Sequence, residues 1–245
     1  MPSRSCRIRA SISWTGKRSA KRFAPRLTGD TRPTGDTRPT GDNRLYREEG
    51  SEKVKVVAFN GSPRKNGNTV LLLRRVMQEL EKEGITTELV QVGGQPIRGC
   101  MACYQCRERK DRRCIYNDDK LNEWIGKMLE ADGVLIGSPT YFAGLTPETK
   151  ALIDRAGFVS RGNGNIFRRK VGAAVIAVRR GGALNVFNAI NAFFLINEMI
   201  VPGSSYWNLA LGGGIGEVEE DAEGMLTMKK LGQNMAWLLK KLNTD

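Results

Sequence analysis

Short apolar, β-branched runs alternate five times with longer segments of helical period from Val54 to Leu242, and this alternation restricts the fold more than any other feature. VKVVAF at 54–59 is short and largely apolar, as a strand covered on both faces must be. Four further strands are expected at TTELVQV (86–92), GVLIGSP (133–139), VGAAVIAV (171–178) and within MIVPGSSYWNLAL (199–211). Helices are expected between them. Residues 68–83 carry Val70, Leu73, Val76, Met77 and Leu80 on one face and end at Gly84. Asp118 or Asp119 can cap a helix running through Leu121, Ile125, Met128 and Leu129, and Pro147 suits the first turn of PETKALIDRAG. Residues 183–197 and 222–242 supply two more helices, the last with Asp221 as its cap. Repeated βα units of this kind predict an α/β fold, a doubly wound five-stranded parallel sheet in the order 2-1-3-4-5. Such sheets bind ligands beyond the carboxyl ends of their strands.

Three glycine- or proline-bearing loops leave those ends: 60–69, 138–146 and 179–183. The first contains GSPRKNGNT at 61–69 and sits between a strand and a helix, where backbone N–H groups and the helix dipole favour an anion. A nucleoside-triphosphate loop needs G-x-x-x-x-G-K-[ST]. Here five residues separate Gly61 from Gly67, and Asn68 stands where the lysine belongs. A dinucleotide loop needs G-x-G-x-x-G, but Ser62 and Pro63 follow Gly61. The later GGGIG at 212–216 leads into the acidic EVEED and reads as a plain loop. A helix cap would use the same Ser, Asn and Thr residues. The position after the first strand, and the failure of both other signatures, favour a grip on one terminal phosphate.

The chain has five cysteines and no histidine, so imidazole bases and ligands are excluded. Cys100, Cys103, Cys106 and Cys114 are crowded too closely for a disulfide framework. C-x2-C-x2-C with a fourth cysteine soon after suits one [4Fe–4S] cube. Structural zinc more often uses two separated C-x-x-C pairs, and redox-active or free thiols are a third reading. The cysteines follow the second strand, which puts them at the sheet edge where the three loops converge. Arg98, Arg107, Arg109, Lys110, Arg112 and Arg113 surround them and would favour an anionic cluster; a solvated basic loop is the plainer account.

The net charge of +13 divides unevenly. Residues 1–50 hold 12 Lys and Arg against 5 Asp and Glu, so about half of the excess lies there. This segment contains Cys6, a basic Ser-rich stretch resembling a transit peptide, and TGDTRP repeated at 28–45 with a degraded third copy. Each hexamer lacks an apolar face, so a disordered basic extension is expected: a non-functional extension, a targeting segment or a nucleic-acid-binding tail. The folded domain is expected over 51–245, with the cysteine loop at about 97–117. No apolar run approaches the roughly 18 residues of a membrane span, and no secretory signal is visible; a soluble, cytoplasmic protein is expected, with neither membrane nor nucleic acid as partner.

GSPRKNGNT, C-x2-C-x2-C-x7-C, ADGVLIGSPTYF and ALIDRAG, in that order, resemble the iron–sulfur flavoprotein branch of the NADPH-dependent FMN reductase family, over about residues 54–242. The resemblance implies a flavodoxin-like fold with a cysteine-rich loop insertion. It implies that Ser62, Arg64, Gly67, Asn68 and Thr69 hold the FMN phosphate, and that Pro139, Thr140, Tyr141 and Phe142 run beside the ribityl chain and ring. Arg179, Gly181 and Gly182 match the third loop, and Cys100, Cys103, Cys106 and Cys114 the ligands of a [4Fe–4S] cluster. The implied protein is a flavin-dependent oxidoreductase whose chemistry is carried by FMN rather than by a catalytic side chain. Ferredoxin or NAD(P)H is the expected donor, and a homodimer or homotetramer the expected assembly. The alternatives are a non-enzymatic, flavodoxin-like electron carrier, or an FMN or quinone reductase without a cluster.

Overall fold

The computed structural model describes residues 53–243; the basic segment, its hexamers and Cys6 lie outside the described residues. The strands are β1 (Lys55–Asn60), β2 (Thr86–Gln91), β3 (Gly133–Pro139), β4 (Val171–Val178) and β5 (Leu209–Leu211). They form one sheet in the order β2-β1-β3-β4-β5, every neighbouring pair parallel, as the sequence predicts. The helices are α1 (Asn68–Lys82), α2 (Gln105–Arg109), α3 (Leu121–Glu130), α4 (Pro147–Gly162), α5 (Ala183–Ile196) and α6 (Ala222–Asn243). Among the described residues no helix is long and apolar enough to cross a membrane.

The pleat divides the core in two. Val57, Phe59, Val134, Ile136 and Ile176 face one cluster with Trp124, Ile125, Leu152, Val159, Ile190 and Phe194 of α3, α4 and α5. Val56, Ala58, Leu135, Ala173 and Val175 face the other, under Leu73, Val76 and Leu80 of α1 and Leu231, Met235 and Leu239 of α6. Alternate residues of one strand therefore serve opposite helical layers, which explains why β4 is apolar without a break and β3 apolar but for Ser138.

At two expected helix starts an aspartate bonds the first turn, Asp221 as the cap of α6 and Asp119 from one residue before Lys120, the cap of α3. Asp221 Oδ1 accepts from Gly224 N at 3.0 Å at the start of α6, while its other oxygen accepts from Leu211 N at 2.7 Å, joining the helix to β5. Asp119 Oδ1 accepts from Leu121 N at 3.1 Å ahead of α3. The fifth strand differs from expectation because it is split. Ile200 bridges Val171, pairing resumes only at Leu209–Leu211, and the chain between bulges away. Pro202 lacks an N–H for the ladder, so this stretch is tolerated only because it lies on the sheet edge.

α1 and α6 are joined by a buried carboxylate. Glu79 accepts from Lys82 Nζ at 2.7 Å, Arg75 Nη1 at 2.7 Å and Gln233 Nε2 at 3.2 Å. The Lys82 hydrogen bond, opposed by burial and aided by Arg75 and Gln233, lowers the Glu79 pKa from 4.5 to about 2. A depressed carboxylate stabilises the fold above its unfolded pKa, and that contribution is lost as pH falls from about 4.5 to about 2. Glu79→Gln is expected to cost about 1–2 kcal/mol at neutral pH, the exposed Lys82 being screened by solvent. Urea unfolding should show the gap between wild type and variant closing across that acid window; a gap independent of pH would refute the assignment.

Candidate functional site

The loops at the carboxyl edge are bonded to one another. Gly61 N donates to Gly137 O at 2.8 Å, Thr146 Oγ1 donates to Gly61 O at 2.8 Å, and Thr140 N donates to Ala177 O at 2.9 Å. The loop after β1 thus touches β3 and the cap of α4, and the loop after β3 touches β4. An amide network supports the first loop from beneath. Gln91 Nε2 donates to Ser62 O and Gly93 O, both at 2.7 Å, and Asn60 Oδ1 accepts from Ser62 N at 3.2 Å.

Within 61–69, Ser62 is buried and its Oγ accepts from Arg64 N at 3.2 Å, a local turn that exposes Arg64. Gly67 N closes onto Arg64 O at 3.1 Å. Thr69 is buried in the first turn of α1, and its Oγ1 has no hydrogen-bond partner among the described residues. Asn68 departs from the expected role. Its Nδ2 donates to Gly212 O at 3.2 Å and Gly214 O at 2.7 Å, and its Oδ1 accepts from Gly216 N at 2.8 Å. The side chain is therefore committed to the GGGIG loop, which it holds against the start of α1. Its amide is engaged with protein and is not left for a phosphate.

Pro139 ends β3, and Thr140 follows with its Oγ1 buried and unpartnered among the described residues. Tyr141 and Gly144 exchange both backbone bonds, at 3.0 and 2.8 Å, around a two-residue turn. Phe142 (φ 48°) and Ala143 (φ 58°) occupy its centre in the left-handed region that Asn-Gly usually fills. Phe142 is fully exposed and Tyr141 is 44% exposed, so packing into the core accounts for neither ring. In the third loop Gly182 (φ 86°) precedes α5, and a β-carbon there would fall 2.9 Å from Ala143 Cβ; Gly181 next to it faces open space. Close approach of the second and third loops requires the glycine. Arg179 lines a groove with Gly213, Gly214 and Glu217, and its charge helps, after hydrogen bonds to Gly214 and Gly213, to lower the pKa of Glu217.

The cysteines converge. Cys100, Cys103, Cys106 and Cys114 line one small, largely apolar pocket with Met101, Tyr104 and Phe158, and all four are free thiols. Ala102 (φ 51°) and Tyr104 (φ 57°) wind the chain between the first three, and α2 carries Cys106 inward. Cys103 is exposed and Cys106 buried. Burial pushes the Cys106 thiol up, and Cys114, Cys100 and Cys103 push in the same direction. Among the described residues no three His, Cys, Asp or Glu groups are placed to hold a metal ion. Part of the basic surround is stacked: Arg98 over Tyr116 at 4.6 Å, Arg107 over Tyr104 at 4.9 Å.

One site residue escaped the sequence reading. Arg155 of α4 lies at the same pocket, 1% exposed, paired with the nearly buried Asp119. Burial opposes its charge, but the neighbouring Asp119 carboxylate and Cys114 raise its pKa above the usual guanidinium value. The signal was present: Ala151, Leu152, Arg155, Ala156 and Val159 share one helical face, and a cation on an apolar face needs an anionic partner.

Residues 54–213 match the sequence pattern of NADPH-dependent FMN reductases. An iron–sulfur flavoprotein of Methanocaldococcus jannaschii is 37% identical over 194 residues, covering 76% of this chain and 98% of the relative. One from Methanosarcina thermophila is 30% identical over 200 residues, covering 78% of this chain and 98% of the relative. Among solved structures, the flavodoxin, WrbA-like protein of Agrobacterium tumefaciens superposes with a TM-score of 0.54 at 15% identity, covering 77% of this chain and 98% of that one, a likeness of fold alone. Sequence and topology agree that the chain belongs to the NADPH-dependent FMN reductase family of flavodoxin-like, flavin-dependent oxidoreductases, in its iron–sulfur flavoprotein branch.

Proposed function

We infer that this chain binds FMN at the carboxyl edge of the sheet and an iron–sulfur cluster in the cysteine pocket, and passes electrons between them and a redox partner. The supporting observation is where unsatisfied polarity collects. Six buried side-chain polar atoms lack a partner among the described residues, and three of them are Thr69 Oγ1, Thr140 Oγ1 and Arg155 Nε. An unpaired buried donor or acceptor costs about 1–3 kcal/mol, so two at the expected flavin loops and one at the cysteine pocket fit bound groups that satisfy them.

Ser62, Arg64, Gly67 and Thr69 would hold the phosphate, joined by backbone N–H groups at the start of α1. Asn68 acts indirectly, by fixing the GGGIG loop beside them. Pro139, Thr140, Tyr141 and Phe142 would line the ribityl chain and ring, with Gly181 and Gly182 giving the backbone close access. Arg179 contributes only at longer range, because it lies against the Gly213–Glu217 turn. The four cysteines would ligate a cluster, a reading supported by their C-x2-C-x2-C-x7-C spacing and by the iron–sulfur flavoproteins among the relatives. When bound, FMN supplies two-electron chemistry and the cluster single-electron transfer. Reduced ferredoxin or NAD(P)H is the proposed donor, and a homodimer or homotetramer the proposed assembly.

Anaerobically purified full-length chain is expected to show a flavin spectrum, with about four iron and four sulfide per chain after reconstitution. Thr69→Val should lower flavin retention about tenfold, corresponding to ~1.4 kcal/mol, without changing iron content. Flavin without iron would remove the cluster and leave an FMN reductase; iron without flavin would overturn the loop assignment. Rapid steady-state NAD(P)H oxidation with a small acceptor would mark an enzyme. Turnover only with added redox proteins would mark a carrier.

A further inference from the structure

The cysteine segment is closed by a residue that lies outside it. Arg155 Nη1 donates to Arg98 O at 3.2 Å and Nη2 to Tyr116 O at 3.2 Å. Arg98 lies two residues before Cys100, and Tyr116 two residues after Cys114. One guanidinium therefore spans both ends of the four-cysteine segment. Asp119 holds it from behind, accepts from Arg98 N at 3.4 Å and starts α3 through Leu121, so the clamp is anchored to two helices. The ion pair with Asp119 keeps this guanidinium charged although it is buried to 1% exposure. Nε remains without a partner among the described residues, at a pocket that all four sulfurs line.

We propose that Arg155 is a positioning residue for the cysteine site, with two separable roles: its paired Nη groups set the spacing of the cysteines, and its fixed positive charge stabilises the anionic thiolate–sulfide group they hold. The second role rests on the cluster reading above; the first does not. A cation fixed beside an iron–sulfur group favours the more negatively charged, reduced form, so the charge raises the reduction potential.

The test uses full-length Arg155→Gln and Arg155→Lys, with FMN content and circular dichroism as checks of folding. In apo protein, alkylation of Cys106 and Cys114 by iodoacetamide, followed by mass spectrometry, is expected to be several-fold faster in both variants, since neither retains the paired Nη geometry. In anaerobically reconstituted protein, iron per chain should fall several-fold in both. The cluster that remains should titrate at a more negative potential in Arg155→Gln and near the wild-type potential in Arg155→Lys, a difference that loosened structure alone would not produce. Wild-type labelling, iron content and potential in both variants would overturn the proposal, and equal potentials in Gln and Lys would overturn its charge component. Should the wild-type chain take up no iron, the cluster reading is what fails, and labelling alone decides the clamp. Faster labelling supports it, and unchanged labelling overturns it.

Discussion

Gly61→Ala is expected to lower flavin retention at least tenfold, ~1.4 kcal/mol, and to destabilise the fold by about 1–3 kcal/mol, the usual cost of forcing a methyl group into a packed contact. The new β-carbon would lie 1.9 Å from Thr149 Oγ1 and 2.7 Å from Gly137 O. Both neighbours are fixed. Thr149 Oγ1 is 2.7 Å from Thr146 Oγ1, which itself donates to Gly61 O, and Gly137 O accepts from Gly61 N. Relief of the contact therefore means breaking the bonds that join the first loop to β3 and α4. Thr149→Ala combined with Gly61→Ala removes the shorter clash and leaves the one with Gly137 O, so partial rescue is expected from the double variant. Flavin content and urea midpoints of the three variants decide the matter. Wild-type flavin content in Gly61→Ala would show that this loop does not hold the cofactor.

The difference between what was legible in the sequence and what was not follows from how far apart the interacting residues lie. β3 and β4 occupy the stretches expected of them because strands covered on both faces are apolar along nearly their whole length and end abruptly. β5 was over-extended because an edge strand tolerates Pro202 and Gly203, so its apolar residues continue through a break in pairing. The loop at 61–69 was legible as a contiguous stretch between β1 and α1, but the partners of Asn68 were not. Its partners lie 144 to 148 residues away in a glycine run whose own sequence suggests only a turn. The exposed, left-handed Phe142 and Ala143 carry no local signal either, since neither is a residue type that favours positive φ. Arg155 was legible in principle, from helical period alone. Its partner Asp119 was noticed only as a candidate cap of α3; it accepts from Leu121 N just ahead of that helix and pairs with Arg155 as well.

Cys106→Ser is expected to abolish stable iron and sulfide binding while leaving FMN content near wild type, because flavin loops and cysteine pocket use different segments of the chain. Cys106 is the buried member of the four, on α2, with Sγ 3.5 Å from Phe158 O and packed within the core cluster under α4. A serine hydroxyl there is a harder ligand with little tendency to ionise, and neither water nor an added thiol can reach the position to replace the lost sulfur. Cys103 offers the opposite case on the same cluster, because it is exposed. Cys103→Ser should lose iron only in part, and 2-mercaptoethanol added during reconstitution should restore much of it by supplying the missing thiolate. The ordering is the test: iron per chain should fall furthest in Cys106→Ser, less in Cys103→Ser, and recover with thiol only in the latter. Rescue of Cys106→Ser by the same thiol would mean the pocket opens far more than its packing against Phe158 and Val159 indicates, and wild-type iron in that variant would remove Cys106 from the ligand set.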